Sequence, residues 1–229
     1  MARFKALMST LNQMRRVIDV GRSQGELTTI ADLVDSFLDT PQMEACLARV
    51  RQLPSVAALM EQRYPPLQPD IDRLQHLPAH SLGGRYARLI LEQGYDPDFF
   101  RSRPVESEAQ WLTQRVASTH DIHHVVSGFS TRREGENGVL AITACQIGFP
   151  AYVCLNHAAS VSCFRLRPEA FAALSSAISH GVSIGMEAQP LVGVRWEEGW
   201  ERPISDWRAE LGIRHPADQA SYGLDHPCQ

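Results

Sequence analysis

Apolar residues recur along this chain at the three- and four-residue spacing of amphipathic helices. Alternating runs of β-branched residues are nearly absent, and the short turn signals that join hairpin strands are missing. No internal repeat or low-complexity linker divides the pattern. We therefore predict an all-α fold, a single-domain helical bundle that spans residues 1–229.

Prolines, glycines and capping residues indicate where the helices begin and end. Thr40 stands before a proline and marks a helix start, and Gly94 follows an apolar run as a left-handed stop. These signals predict helices over 82–93, 107–128, 131–147 and 151–164, with further starts at 168 and near 205. Between the last two, segment 191–203 holds Trp196 and Trp200 among charges and suits a loop or a short hairpin.

The longest charge-free stretch runs from Asn137 to Phe164, which is long enough to cross a bilayer as one unbroken helix. Gly148 and Pro150 break it, however, and the polar side chains of Gln146 and Asn156 lie inside it. We expect two buried helices folded against each other rather than a membrane span.

The composition is that of a globular protein. With 44% hydrophobic and 21% charged residues, the 229-residue chain can bury a sizeable core. Its formal net charge of −4, with a pI near 6.1, gives no basic field for a polyanion. Nucleic acid is therefore not an expected partner.

The cysteines indicate a reducing compartment. Their number is odd and no two form a C-x-x-C pair, which argues against a disulfide framework and against a thiolate zinc site. The five are Cys46, Cys145, Cys154, Cys163 and Cys228. The middle three lie among apolar residues and are expected to act as small buried hydrophobic side chains.

The first twenty residues lack the uninterrupted apolar core of a secretory signal, because basic residues are spread through them. No acidic residue precedes Asp19. An organellar transit peptide and a basic helix on a membrane surface stay open as interpretations, beside the ordinary alternative of a solvated first helix.

The segment HDIHHVVSGFSTRREGENG, residues 120–138, carries most of the chemical information. His120 and His124 are four residues apart, so on a helix their side chains lie about 40° apart on one face and can reach one ion. Asp121 has the place that glutamate takes in H-E-x-x-H metal helices. The apolar stripe of this helix lies nearly opposite and consists of Trp111, Ile122, Val125 and Phe129.

In the following helix, Glu136 ends an otherwise apolar row with Leu140, Thr143 and Ile147. A lone buried carboxylate would be costly there, but a cation shared with the two histidines would remove that cost. The short turn at 128–130 can bring the two helices together. Three or four nitrogen and oxygen ligands without sulfur suit zinc, and they exclude manganese or iron less than calcium. The bundle would then have a central metal-bearing helix pair.

Simpler explanations stand beside this metal site. Thr131 and Glu134 fit a capping box, and Glu136 would favour the positive end of its helix without any metal. Histidine pairs at this spacing also occur by chance. His123 points about 60° away from His120, and we interpret it as a packed histidine, with a supporting role behind the ligands as the alternative.

The pattern His120-Asp121-x-x-His124, followed after eleven residues by Glu136, resembles the signature motif of the coenzyme Q biosynthesis protein 4 family in residue type and spacing. The resemblance extends to the segments SLGGRYARLILEQGYDPDFF, QIGFP, GVSIGMEAQPL and WEEGWERPISDWRAELGI. It covers about Leu82 to His215 and, more loosely, the N-terminal helices.

The resemblance implies an all-helical protein in which His120, Asp121, His124 and Glu136 bind zinc or a similar ion. It implies a role in making a prenylated quinone such as ubiquinone, linked to removal of the ring carboxylate with hydroxylation at that carbon. The implied partners are an isoprenoid lipid or prenylated quinone precursor, other quinone-biosynthesis proteins and a membrane surface, and a homodimer is left open. Members lie at the inner mitochondrial membrane in eukaryotes. The start of this chain, close to the first family helices, favours a bacterial protein that is cytoplasmic and peripheral to the inner membrane.

Two functions from different classes follow. As an enzyme, the protein would use the metal as a Lewis acid or oxygen-activating centre beside a hydroxybenzoate ring, with Asp121 as a fourth ligand or as a base. Direct ligation by Asp121 needs a wide site, because its azimuth differs from that of His120 by about 100°. As an isoprenoid-binding scaffold, the protein would hold a structural metal in a closed shell, and residues 137–164 would help to line a slot for a prenyl tail.

Overall fold

The computed structural model describes residues 13, 15, 16, 19, 20, 27–95 and 105–225. The α-helices, numbered here in chain order, are α1 (Leu27–Asp35), α2 (Pro41–Val50), α3 (Pro54–Glu61), α4 (Ile71–Leu74), α5 (Leu82–Gln93), α6 (Glu108–Ser127), α7 (Arg133–Ile147), α8 (Pro150–Leu166), α9 (Phe171–Glu187) and α10 (Ile204–Leu211). Short 3₁₀ turns occupy Pro168–Ala170, Leu191–Gly193 and Trp196–Glu198. The interpretations of the first twenty residues concern positions that lie mostly outside this description.

The all-α prediction is confirmed. No β-strand occurs in the part of the chain that the structure describes, where the strand-like pairings are isolated bridges from Ser81 to Pro203 and from Phe129 to Gly223. None of the described helices combines the length and the hydropathy that a membrane crossing requires.

α6 has the bounds that its sequence signals predict. Ser107 forms a capping box with Gln110 at its start, and the helix ends at Gly128, whose φ of 79° is left-handed. α7 starts without the predicted capping box of Thr131 and Glu134, because its N-cap residue is an arginine that makes no side-chain cap. That explanation for the acidic residues at the start of α7 is therefore wrong.

The charge-free stretch is divided between two helices, as predicted. α7 ends at Gly148, which has a φ of 69°, and α8 begins at Pro150. α7 is buried along most of its length, but on α8 Val161, Phe164 and Leu166 are 62%, 63% and 77% exposed. The prediction of two buried helices is right for α7 and wrong for the end of α8, because the described residues leave these side chains mostly uncovered.

The described cysteines are free thiols. Cys46 and Cys163 are buried, and burial raises the pKa of Cys46 to about 12, which makes it an inert thiol. Cys145 and Cys154 are only partly buried. The expectation of small buried hydrophobic side chains is confirmed for Cys163 and holds only partly for the other two.

Two hydrophobic clusters form the core, and α6 and α7 contribute to both. The first half of α6 places Trp111, Leu112 and Val116 in one cluster. Its second half places Ile122, Val125, Val126 and Phe129, the last just beyond the helix end, in the other. The predicted apolar stripe is thus buried, and α6 and α7 are the central helix pair.

Segment 191–203 is a loop with two 3₁₀ turns, so the hairpin alternative is wrong. Arg115 of α6 fixes this loop from inside the core. Its guanidinium donates to the carbonyls of Val192 and Val194 and forms an ion pair with Glu197. These contacts fill the side of α6 that faces away from α7 with matched donors and acceptors.

Candidate metal centre

The turn between α6 and α7 positions the three residues that the sequence singles out. His120 and His124 lie in the last two turns of α6, and Glu136 lies in the first turn of α7. Gly128 reverses the chain with its left-handed backbone, and a Cβ there would lie 2.8 Å from the carboxylate of Asp218. A side chain at position 128 would therefore both strain the backbone and push the C-terminal segment away.

The C-terminal segment holds this turn from outside. Arg208 of α10 donates to the carbonyl of Val126 at 2.8 Å and pairs with both carboxylate oxygens of Asp218 at 2.8 and 2.9 Å. The N–H of Ala217 donates to the carbonyl of Ser127 at 2.7 Å. The end of α6 is thus anchored by residues far away in the sequence.

Three side chains converge on one point. His120 Nε2 lies 2.9 Å from one carboxylate oxygen of Glu136, and His124 Nε2 lies 3.1 Å from the other. The two Nε2 atoms are 3.2 Å apart, and the ligating atoms of all three residues lie within 4.8 Å of one another. The predicted convergence of two helices on a His-His-Glu cluster is present in the structure.

The hydrogen bond behind His124 determines what the front of its ring can do. Its Nδ1 lies 3.1 Å from the backbone carbonyl of Phe129, which can only accept, so Nδ1 carries the proton. In a neutral ring Nε2 then presents a lone pair, and that lone pair faces the oxygens of Glu136. Two acceptors in contact repel unless a proton or a cation lies between them. The arrangement is the one in which a metal-binding histidine donates its other N–H to a carbonyl.

His120 is held differently, because its Nδ1 is buried and has no hydrogen-bond partner. Burial lowers the pKa of His120, but the charge and hydrogen bond of Glu136 and the charge of Asp121 outweigh burial and raise it above its ordinary value. Burial likewise raises the pKa of Glu136, yet the two histidines outweigh burial and bring it well below its usual range. Glu136 is therefore a carboxylate that can meet a cation.

Asp121 is not brought into the cluster of three ligating residues in the described structure. Burial raises its pKa, the two histidines lower it and Glu136 raises it, and the net pKa lies above the ordinary value. These interactions place its negative charge close to the centre. Its position agrees with the azimuth difference that the sequence indicates between residues 120 and 121.

His123 is buried, and its ring lies 6.2 Å from that of Trp196, centroid to centroid. Burial lowers its pKa well below the ordinary value, and the charges of the neighbouring histidines and of Arg115 add to the effect. His123 is thus a neutral histidine packed in the core, and it does not belong to the cluster of three.

Two tyrosines that sequence reasoning missed stand near the centre. The ring of Tyr152 on α8 packs edge-on against His120, with centroids 5.8 Å apart, and its side chain is 7% exposed. Tyr95, just after α5, is more exposed, and the charges of Glu136 and Asp121 act on its pKa. No spacing rule links either residue to the motif, because both reach the centre only through the packing of other helices.

The donor atoms suit a divalent metal ion. Two imidazole nitrogens and a carboxylate match the three-ligand set of zinc sites that keep a fourth position open for water or substrate. Manganese and iron also accept such ligands, whereas calcium prefers oxygen alone. Glu136 is 38% exposed on its side chain, so the open side of the cluster faces a path to solvent.

Comparison with known proteins gives the chain its relatives. The family described as "Coenzyme Q (ubiquinone) biosynthesis protein Coq4" matches residues 4–217. The mitochondrial ubiquinone biosynthesis protein COQ4 of Eremothecium gossypii is 30% identical over 201 residues, which are 85% of this chain and 58% of that protein. The mitochondrial ubiquinone biosynthesis protein coq4 of Talaromyces marneffei is 35% identical over 150 residues, 63% of this chain and 50% of that protein. The chain thus spans little more than half the length of these relatives.

A solved structure agrees with the sequence comparison. The crystal structure at 2.85 Å of a protein from Nostoc punctiforme PCC 73102, described as a candidate ubiquinone biosynthesis protein, matches with a TM-score of 0.82 and 29% identity. The match covers 90% of this chain and 97% of that one. Fold and sequence together support a role in ubiquinone biosynthesis, and the chain belongs to the coenzyme Q (ubiquinone) biosynthesis protein Coq4 family.

Proposed function

We propose that the protein is a metal-dependent enzyme of ubiquinone-type biosynthesis that acts on the carboxylated ring of a polyprenyl hydroxybenzoate. The reaction breaks the bond between the ring and its carboxyl group, which leaves as CO₂, and forms a ring–oxygen bond at the same carbon. Dioxygen supplies that oxygen, and a two-electron reductant supplies the hydrogens that leave with its second oxygen as water. An aromatic acid and a phenol are thus substrate and product.

The observation that carries this proposal is the lone pair of His124 Nε2 facing the carboxylate of Glu136 at 3.1 Å. His120, His124 and Glu136 would hold the ion, and zinc is the metal that this donor set favours. When bound, a metal ion would supply Lewis acidity or oxygen activation. With three protein ligands the centre keeps a position open, which favours catalysis over a closed structural site.

Asp121 serves this proposal better as a base than as a ligand. It lies outside the three-residue cluster, and its raised pKa brings a carboxylate closer to the range in which proton transfer at neutral pH is efficient. A base beside the ligands has the role of the glutamate in H-E-x-x-H enzymes. The fourth protein ligand that the sequence pattern suggests is then replaced by substrate or water.

A second candidate function is a non-catalytic scaffold that binds isoprenoid lipid at a membrane and organises other quinone-biosynthesis proteins. The exposed end of α8 favours it: Phe164 and Leu166 point outward beside the exposed Arg165 and Arg167. Apolar side chains next to arginines suit the surface of an anionic membrane. On this proposal the protein is peripheral to the inner membrane, on the cytoplasmic side in a bacterium or the matrix side in a mitochondrion.

One purification distinguishes the two functions. The untagged protein is isolated from its own cells and examined by elemental analysis and lipid mass spectrometry, and it is then incubated with a prenylated hydroxybenzoate, O₂ and a reductant. A stoichiometric metal and formation of the hydroxylated, decarboxylated ring support the enzyme. A bound prenyl lipid without turnover, in a protein that functions equally with an inert metal, supports the scaffold. Absence of any metal from the active protein contradicts both versions of the centre.

A further inference from the structure

Tyr152 carries a polar group that the fold itself does not use. Its side chain is 7% exposed, and its hydroxyl forms no hydrogen bond with any residue in the described ranges. Leaving a buried hydroxyl without a partner costs about 1 to 3 kcal/mol. A tyrosine in a purely packing role would be more stable as phenylalanine, so the hydroxyl points to a partner that is not part of the chain.

The position of the ring is fixed by aromatic neighbours. Tyr152 lies in the first turn of α8, which begins at Pro150, and its ring packs edge-on against Phe149 with centroids 5.0 Å apart. On its other side it packs edge-on against His120 at 5.8 Å. The ring therefore forms a wall of the metal centre, and its hydroxyl is held near the ligands without bonding to them.

The phenol is a hydrogen-bond donor at every physiological pH. Burial raises the pKa of Tyr152 far above its usual range, and the charges of Glu136 and Asp121 raise it further. A neutral hydroxyl can donate to an oxygen anion, whereas a phenolate beside these two carboxylates would repel one. The side chain thus combines an aromatic face with a donor that stays protonated.

We propose that Tyr152 contacts the substrate, its hydroxyl donating a hydrogen bond to a carboxylate oxygen of the aromatic acid bound at the centre while its ring packs against the ring of that acid. This inference rests on the proposed function, since it names what the open side of the same centre recognises. Edge-to-face packing selects an aromatic ligand, and the donor selects one that bears an anionic oxygen. Tyr152 is then a specificity-determining residue that touches the substrate and not the metal.

The test compares wild-type protein with Tyr152→Phe and with the matched control Tyr64→Phe. Tyr64 also carries a phenol, but its hydroxyl lies 3.4 Å from Glu198, away from the three ligating residues. Each protein is loaded with Co²⁺, whose visible spectrum reports the coordination of the ion. It is then titrated with 4-hydroxybenzoate and, separately, with p-cresol, which keeps the phenol ring but lacks the carboxylate, and binding is also followed by calorimetry.

The expected result is that all three proteins bind one Co²⁺ with the same affinity and the same spectrum before ligand is added. Tyr152→Phe should then bind 4-hydroxybenzoate about tenfold more weakly than wild type, a difference of about 1.4 kcal/mol for a hydrogen bond to a charged group. Its p-cresol affinity and its melting temperature should not fall. Tyr64→Phe should behave as wild type with both ligands.

The outcomes that overturn the inference are separate from those that overturn the proposed function. Equal 4-hydroxybenzoate affinity in Tyr152→Phe and wild type removes Tyr152 from the substrate site and leaves the proposed function standing. Equal weakening for 4-hydroxybenzoate and p-cresol shows a loss of ring packing and contradicts the hydrogen bond. A wild-type protein that binds Co²⁺ but not the aromatic acid contradicts the proposed substrate class, and the role of Tyr152 falls with it.

Discussion

Two buried polar groups on α6 differ in how their neighbours satisfy them. The side chains of Arg115 and His124 are each 1% exposed. The guanidinium of Arg115 meets only acceptors, two backbone carbonyls and the carboxylate of Glu197. The imidazole of His124 meets a carbonyl behind it and, in front, another imidazole nitrogen and a carboxylate. The first group is closed by the chain itself, whereas the second needs a positive charge between its members.

This difference separates a structural from a functional site on the same helix. A buried charge with matched partners fixes the fold, and removing one partner leaves the other uncompensated. A cluster of acceptors around an empty centre stores no stability of its own and becomes favourable when a proton or a cation arrives. Burial alone therefore does not identify the site, but the balance of donors and acceptors does.

The largest change in stability is expected from Arg115→Met. The substitution keeps much of the aliphatic packing but leaves the carboxylate of Glu197 and two loop carbonyls without their donor, so we expect a loss of about 3 to 5 kcal/mol in the free energy of unfolding. Urea denaturation measures it. The control is Arg195→Met, which breaks a surface pair with Glu198 and should cost about 1 kcal/mol or less. Equal small losses in both variants would mean that the Arg115 contacts do not fix the loop.

The next largest effect is on metal affinity. His120→Ala and His124→Ala each remove one of two nitrogen ligands, so zinc affinity should fall about 100-fold or more, equivalent to about 2.7 kcal/mol, while the helical content stays unchanged. Competition with a chromophoric chelator measures the affinity, and circular dichroism measures the helix. His157→Ala is the matched control, since this exposed histidine of α8 bonds only the carbonyl of Val153. A drop of the same size in the control would place the zinc elsewhere.

A smaller change in stability accompanies a large one in function for Glu136→Gln. The amide keeps the size of the side chain and can donate to His124 Nε2, so the metal-free protein should unfold within about 1 kcal/mol of wild type. Metal binding and rescue of a quinone-deficient strain should be lost, provided that the wild-type gene rescues it. Glu134→Gln is the control for the helix dipole, because this glutamate lies in the same first turn. Full rescue by Glu136→Gln would reduce the ligands to the two histidines.

The smallest effect is a dependence of stability on pH in the metal-free protein. The folded pKa of His120 is raised, so its stabilisation is complete below the ordinary histidine pKa of about 6.5 and is lost as pH rises through the higher folded value. The folded pKa of Glu136 is lowered, so its stabilisation is present above about pH 4.3 and is lost as pH falls through the lower folded value. Urea midpoints should therefore be highest between these limits.

Zinc reverses the first of these trends, because the ion and the proton compete for His120. Its affinity should rise with pH through the raised pKa of that histidine. In Glu136→Gln the fall in stability above about pH 6.5 should disappear, since the carboxylate that raises this pKa is gone. Identical pH profiles for the two metal-free proteins would show that His120 and Glu136 do not form the pair described above.

Local signals allowed the ligand-bearing part of the fold to be predicted from the sequence. Gly128 and Gly148 end α6 and α7 where their left-handed backbone requires glycine, and the four-residue spacing of His120 and His124 places both on one face. The 100° step from His120 to Asp121 also predicted that direct ligation by the aspartate would need a wide site. Helix geometry alone carries this information.

What could not be predicted depends on packing between distant segments. The position of Tyr152 beside His120 follows from how α8 returns along α6, which no spacing in the sequence encodes. The anchoring of the α6 end by Arg208 and Asp218 likewise joins residues far apart in the chain. The exposed end of α8 was missed for the opposite reason, because an apolar run does not reveal whether another element covers it.

The most direct test of the central claim is the metal content of untagged protein after dialysis against a mild chelator, measured by elemental analysis. The arrangement of His120, His124 and Glu136 predicts one divalent ion per chain in the wild type and none in the His120→Ala/His124→Ala double variant. Equal occupancy in the two proteins, or no metal in an active wild type, would contradict a metal centre at these residues.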